Sequence, residues 1–297
     1  MDVEVVASPS SALSTRAVSD EGRSAGGSGA TQGRLVQRVL PWLIPVGVLV
    51  AWQLLGSSRV ISSSFLPTPV EVVQAAIRLL ERGDLQSHVW VSMRRALWGL
   101  AIGGGVGFLL GVVNGVSKIS ASLLDTSIQM LRTIPHLALI PLVILWFGIG
   151  EEAKIFLVAL GVAFPIYLNT YNGIKNIDAG LLEMGRVYRI GRKRMFTEIV
   201  IPGAMPSILV GVRYSLGVMW TTLIVAETIG ADAGIGYMAT SAREFVQMDV
   251  VVLSIVIYAL LGKVSDMIAV TLERRLLRWN PVFAKASRAS RRGQAAA

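Results

Sequence analysis

Arg132 and His136 are the two residues whose types and spacing most invite a chemical role. One helical turn apart inside an apolar run, they would share a face beside Pro135 and Pro141, which interrupt the backbone ladder and free carbonyls. A cation there could meet a passing anionic headgroup; equally, Arg132 stands near the end of its run, where it could snorkel or pair with Asp125. Glu227, close to the end of a later apolar run, reads as a gate contact. Ionisable groups in such runs are costly and usually face a bundle interior or a water-filled path. Arg132, His136 and Glu227 are therefore the candidate translocation path. Lys263 and Asp266 read as an intrahelical ion pair, His88 as a solvated side chain, and Trp146, Phe147 and Trp220 as interface anchors or packing.

Bond-making chemistry finds little to build on. The 297 residues hold two histidines and no cysteine, which excludes disulfides and thiolate metal sites. His-Glu-x-x-His, Gly-x-Ser-x-Gly and paired-carboxylate patterns are missing from the sequence. Neither the glycine run at 103–107 nor Gly262-Lys263-Val264 makes a phosphate loop, because no Lys-Ser or Lys-Thr follows. The chain is expected to hold no metal or cofactor, to bind no ATP by that route, and not to be an enzyme.

The elements that position these residues are long and apolar. Apolar residues make up 53% of the chain. They gather in six runs, 39–55, 96–116, 123–147, 153–171, 208–229 and 250–272. Runs of roughly 20 residues suit a helix crossing a hydrocarbon core of about 30 Å. The expected fold is an all-α integral membrane protein with six transmembrane helices. The net charge of +9 reports topology rather than nucleic-acid binding. Arg34 and Arg38, Lys118, the cluster Arg186, Arg189, Arg192, Lys193 and Arg194, and Arg274, Arg275 and Arg278 all fall on one side, which assigns that side and both termini to the cytoplasm. The stretch 56–95 fits this rule poorly, since it would place Arg59, Arg78, Arg82, Arg94 and Arg95 outside. Within it, 69–82 reads as an amphipathic helix on the outer surface, Pro at its start and Val72, Val73, Ala76, Ile77 and Leu80 on one side.

Residues 1–33, rich in Ser, Gly and Ala, are expected to stay disordered and uncleaved, and 281–297 form a basic tail. Between them, 34–85 supply the first span and the amphipathic helix, and 86–280 the five-helix core. Gly99, Gly103, Gly107, Gly111 and Gly115 recur every fourth residue, a ridge without side chains that another helix can approach closely in lipid.

The connection 173–207 is far longer than helix-to-helix loops usually are. Asp178 is a plausible N-cap, a second helical stretch at 195–200 should stop at Pro202, and Gly191 marks the bend between. The run from Glu183 to Pro202 resembles the EAA loop of binding-protein-dependent ABC importer permeases: Glu-Ala-Ala, three residues, Gly, nine residues, Ile-x-Leu-Pro. Glu183, Ile199 and Pro202 match at that spacing, with Ile201 where Leu is usual. Met184-Gly185 replaces Ala-Ala, and Arg189 occupies the glycine position, leaving Gly191 as the expected turn. From Leu66-Pro67-Thr68-Pro69 to Trp279-Asn280-Pro281 the chain is similar to the subfamily for sulfonates, taurine and nitrate. The run from Leu124 to Arg132, the run from Pro135 to Leu142, and Val225-Ala226-Glu227-Thr228-Ile229 look nearest its aliphatic-sulfonate branch.

The resemblance implies a type I ABC importer permease fold in the bacterial inner membrane. It implies a homodimer working with two ATPase subunits, which bind the ATP, and with an extracytoplasmic substrate-binding protein. The segment 183–194 would be the coupling helix docked on the ATPase. Met184, Val187 and Tyr188 would give it an adaptable apolar face, and Glu183 and Arg186 would give ion pairs that fix register. A stand-alone secondary transporter would show inverted repeats, which are not seen here, and an intramembrane enzyme would need the constellations excluded above.

Overall fold

The computed structural model describes residues 29–58 and 66–279. The chain divides into two compact units, 1–47 and 48–297. Of the first unit the described part is helical, the beginning of α1 (Gly29–Ser57). Helix thus begins inside the stretch 1–33 expected to lack structure; residues 1–28, Arg59 and the tail 281–297 lie outside the described residues.

The second unit holds α2 (Pro69–Arg82), α3 (Asp84–Val116), α4 (Lys118–Thr133), a 3-10 turn His136–Leu139, α5 (Ile140–Phe147) and α6 (Glu151–Lys175). After α6 come α7 (Ala179–Val187), α8 (Arg192–Arg194), a π turn Met195–Val200, α9 (Ile201–Thr228), α10 (Ile235–Glu244) and α11 (Met248–Leu276). Among the described residues there is no strand.

Among the described residues, four helices are long and apolar enough to cross a membrane, α3, α6, the continuous stretch Arg192–Thr228 and α11, or five if the bent pair Lys118–Thr133 and His136–Phe147 counts as one. The run expected as one span at 123–147 is broken, with Lys118–Thr133 and His136–Phe147 meeting at 82°. Pro135 is the cause. It disfavours the helical conformation in the residue before it, and Ile134 is extended at φ −73, ψ 122. The first expected run falls within α1, of which Leu43–Ser57 is apolar.

Two span boundaries also move. α3 opens at Asp84 rather than near 96, so Arg94 and Arg95 belong to a helix and not to an outer loop. Pro202, expected to end a helix, instead lies in the first turn of α9, after a π turn in which the Ile201 N–H reaches back to the Phe196 carbonyl. A proline cannot donate within the ladder and its ring crowds the preceding turn; the wider π turn lets the helix run on through it.

Local signals fix α2 at both ends. Thr68 Oγ1 accepts from the Glu71 N–H at 3.3 Å, Glu71 Oε2 accepts from the Thr68 N–H at 2.7 Å, and Gly83, at φ +80, closes the C-terminus. Its buried face is Val72 and Ala75; Val73, Ile77 and Leu80, expected on the same apolar side, are exposed. Arg78 ties α2 to the start of α11 through Asp249 at 2.5 Å.

The core is built around α3 and α6. α3 turns Gly99, Gly103, Gly107 and Gly111 inward and Trp98, Ile102, Val106, Leu109 and Val113 outward, the reverse of a water-soluble helix. A Cβ on Gly103 would lie 2.6 Å from Ala159 Cα, one on Gly107 3.1 Å from Ala163 Cα, one on Gly111 2.9 Å from the Tyr167 carbonyl oxygen, and one on Gly115 2.8 Å from Ile174 Cβ. Gly99 abuts Val158 in the same way. Val158, Val162 and Ile166 of α6 continue into a cluster with Met219, Trp220 and Leu223 of α9, Ile235 and Met238 of α10, and Leu253 and Tyr258 of α11. Trp220, expected as an anchor or as packing, is a core residue whose Nε1 donates to Ser265 Oγ at 2.9 Å; Phe147 stacks on Phe156, and Trp146 is exposed.

Candidate functional site

Three places gather the chemistry-bearing residues: a charged centre among α3, α6, α9, α10 and α11; an open groove along α9; and the connection 178–202.

Glu227 sits in the charged centre. It accepts from Arg95 Nη1 at 2.8 Å, from Ser92 Oγ at 2.7 Å, from Tyr258 Oη at 2.9 Å and from the Gly236 N–H at 2.9 Å. Arg95 spends its other donors on both carboxylate oxygens of Glu151 and on the Ala233 carbonyl. Both Arg95 and Glu227 are buried, and a buried ion pair is tolerable only when the remaining lone pairs and protons are largely satisfied; here Arg95 makes four hydrogen bonds and both Glu227 oxygens accept. Gly234, at φ +119, and Gly236 make the room: a Cβ on either would meet Glu227, at 2.5 Å from its Cδ and 2.6 Å from its Cβ respectively. Glu227, named from the sequence as a gate contact, therefore lies at the centre of a closed network rather than alone at a helix end.

His88 is not solvated. Half-buried at the edge of this network, its Nδ1 accepts from the Gly234 N–H at 3.1 Å and its ring tilts against Tyr237. Arg95, Ser92 and Tyr258 were missed from the sequence. The available signal was an arginine beside an apolar run, which in a membrane implies a buried partner.

The groove has a volume of about 620 Å³ and is lined by His136, Leu137, Val210, Arg213, Tyr214, Gly217, Val218, Thr221, Thr222 and Asp266. His136 is held there, its Nε2 sharing a hydrogen bond of 3.0 Å with Thr222 Oγ1. Arg132 does not share a face with it: α4 ends at Thr133, the chain turns at Pro135, and Arg132 is exposed on the far side of the break. Asp125, the alternative partner of Arg132, accepts instead from Tyr167 Oη at 2.8 Å. The expected pair Lys263 and Asp266 is 3.8 Å apart, but the nearer cation is Arg213, whose Nε donates to Asp266 Oδ1 at 2.7 Å. Arg213, overlooked in the sequence, puts a guanidinium on the groove.

The connection 178–202 folds back on itself. Asp178 caps α7, its Oδ1 accepting from the Gly180 N–H at 2.8 Å. Gly185 is buried in the fold-back: a Cβ there would lie 2.6 Å from Met195 Cε and 3.1 Å from Ile199 Cδ1. The turn after α7 falls on Arg189, which takes φ +51, with the Ile190 N–H donating to the Gly185 carbonyl at 2.9 Å. Gly191, expected as that turn, has φ −61 and opens the next helix. The turn is therefore made at the position where the resembling loops carry glycine. Glu183, Met184, Arg186, Val187 and Tyr188 all face outward, with Val187 79% and Tyr188 75% exposed, so among the described residues nothing covers Met184, Val187 or Tyr188.

Residues 103–278 match the family described as binding-protein-dependent transport system inner membrane component. The chain is 58% identical to a candidate aliphatic sulfonates transport permease protein, SsuC, of Escherichia coli, over 83% of this chain and 94% of that one. It is 44% identical to the protein of the same description in Bacillus subtilis, over 80% of this chain and 86% of that one. Among solved structures it resembles a chain in the crystal structure of an amino acid ABC transporter with histidines, at a TM-score of 0.56 and 16% identity, over 69% of this chain and 97% of that one. That last likeness concerns the fold alone.

Proposed function

The chain belongs to the family of binding-protein-dependent transport system inner membrane components, and from that premise we propose that it is the permease of an importer for aliphatic sulfonates. The observation that carries the substrate is the 58% identity to the Escherichia coli SsuC, spread over 94% of that protein. The chain is a membrane-embedded transport subunit; two copies of it work with two ATPase subunits, which bind and hydrolyse the ATP, and with an extracytoplasmic binding protein that delivers the sulfonate. Six spans result when the bent pair Lys118–Thr133 and His136–Phe147 counts as one and the helix ending at Ser57 as another, with both termini in the cytoplasm.

Force enters at α7. Its exposed Met184 and Val187, with Tyr188 just after it, suit a groove on the ATPase, and Glu183 and Arg186 set the register. Gly185 packs on Met195 and Ile199, and from Arg192 to Thr228 the helix is continuous, so displacement of α7 is carried into α9, which lines the groove. Closure of the ATPases around ATP then opens the groove outward, and hydrolysis resets it. The translocation path takes in the groove face that holds His136.

The experiment is uptake of labelled alkanesulfonate, taurine and nitrate under sulfur limitation, in cells lacking the chain and in cells with it restored. Restored alkanesulfonate uptake is the expected result. Restored taurine or nitrate uptake without alkanesulfonate would move the substrate and keep the permease.

A further inference from the structure

We propose that Arg213 is the anion-contacting residue of the groove and that Asp266 is its resident counter-ion, which an alkanesulfonate displaces in transit. The proposal rests on the reading of the chain as a sulfonate permease. Arg213 on α9 and Asp266 on α11 are 53 residues apart in sequence and 2.7 Å apart in space, and both line the groove.

This pair differs from the buried one in being open. The side chains of Arg213 and Asp266 are 48% and 36% exposed, whereas Arg95 and Glu227 are sealed at 2% and 0%. Asp266 engages Arg213 through Nε, and a guanidinium has four further N–H donors in its fork. An arginine left alone within a membrane-spanning helix is costly, so a carboxylate against it lowers that cost between cargoes. Lys263 stands 3.8 Å from the other oxygen of Asp266. A carboxylate pushed off Arg213 therefore has a second cation within reach on its own helix, and the exchange proceeds without moving a proton or breaking a covalent bond.

The groove also matches the rest of the cargo. A sulfonate stays ionised across the physiological pH range and presents three equivalent acceptor oxygens. The Arg213 fork and the Tyr214 hydroxyl are donors suited to that headgroup; the Thr221 hydroxyl, beside them, donates to the Gly217 carbonyl at 3.1 Å. Leu137, Val210 and Val218 offer an apolar wall for an alkyl chain.

The absence of cysteine makes a direct test possible. Thr221→Cys adds a single thiol to the groove of the full chain, studied in membranes together with its partner subunits. The rates of its modification by sulfonatoethyl and trimethylammonioethyl methanethiosulfonate are measured with and without octanesulfonate, alongside uptake. Octanesulfonate is expected to slow modification by about tenfold, the scale of one charge-assisted contact. Arg213→Gln should abolish that protection and remove the preference for the anionic reagent; Asp266→Asn should shift protection to lower octanesulfonate. In Arg213→Gln/Asp266→Asn, which removes the ion pair without leaving a lone charge, alkanesulfonate uptake should stay lost. Wild-type uptake in that double variant, or an unprotected thiol in a chain that imports alkanesulfonate, would overturn the proposal alone. A parent chain that imports no alkanesulfonate would overturn the substrate reading and the proposal with it.

Discussion

Arg95 Nη1 lies 2.8 Å from Glu227 Oε1, joining α3 to α9 across 132 residues of sequence in a site closed to solvent. Removing one member of such a pair leaves the other charged, buried and unpaired. Arg95→Met and Glu227→Leu should each destabilise the protein by about 3–5 kcal/mol. Exposed Arg94, 3.7 Å from Glu151, should tolerate Arg94→Met within about 1 kcal/mol. The unfolding midpoints of the three variants in detergent check this ordering.

The glycine ridge predicts a contrast within one helix. Gly103→Ala places a methyl group on the Ala159 backbone and should cost about 1–3 kcal/mol through forced separation of α3 and α6. At Gly105 a Cβ meets nothing within 4 Å, so Gly105→Ala should be neutral or slightly stabilising. Thermal unfolding in detergent distinguishes the two.

Arg189 holds φ +51, a conformation that costs an L-residue roughly 1–2 kcal/mol. Arg189→Gly should relieve it and protect the 178–202 connection from protease, and Arg189→Val should make cleavage faster. Limited proteolysis of the purified protein measures both directions.

Two substitutions in α7 should fail differently. Gly185→Glu drives a side chain into Met195 and Ile199 and should disorder the fold-back, seen as faster proteolysis. Val187→Asp alters only a 79% exposed position and should leave proteolysis unchanged while lowering substrate-stimulated ATP hydrolysis in the reconstituted transporter by at least about tenfold. Full stimulation in Val187→Asp would remove α7 from the docking surface.

The sequence reading is most faithful where the signal is local. The helix expected at 69–82, with Pro at its start, is α2, and the four-residue glycine period marks the face of α3 that meets α6. It fails where the deciding partner is distant or the backbone departs from a regular helix. Arg95 looked like the end of an outer loop because its carboxylates lie 56 and 132 residues away. The break at Ile134 and Pro135 is hidden by apolar composition that continues across it, which made Arg132 and His136 look like neighbours on one face. Pro202 looked like a stop because a π turn has no residue signature comparable to that of a cap. Arg213 escaped notice because its value lies in the groove, and a groove between α9, α11 and the turn after Pro135 is visible only once the helices are packed.

The four-residue spacing of Gly99, Gly103, Gly107, Gly111 and Gly115 also sets how α3 and α6 can move. It acts as a rack whose teeth are spaced by four helical residues, about 6 Å at the usual rise. Smaller slides would drive α6 backbone against the side chains flanking each notch, and only a full tooth restores the fit. A working stroke shorter than that must leave the two helices locked together as one blade, and must be taken up instead at joints elsewhere, such as the 82° elbow at Pro135.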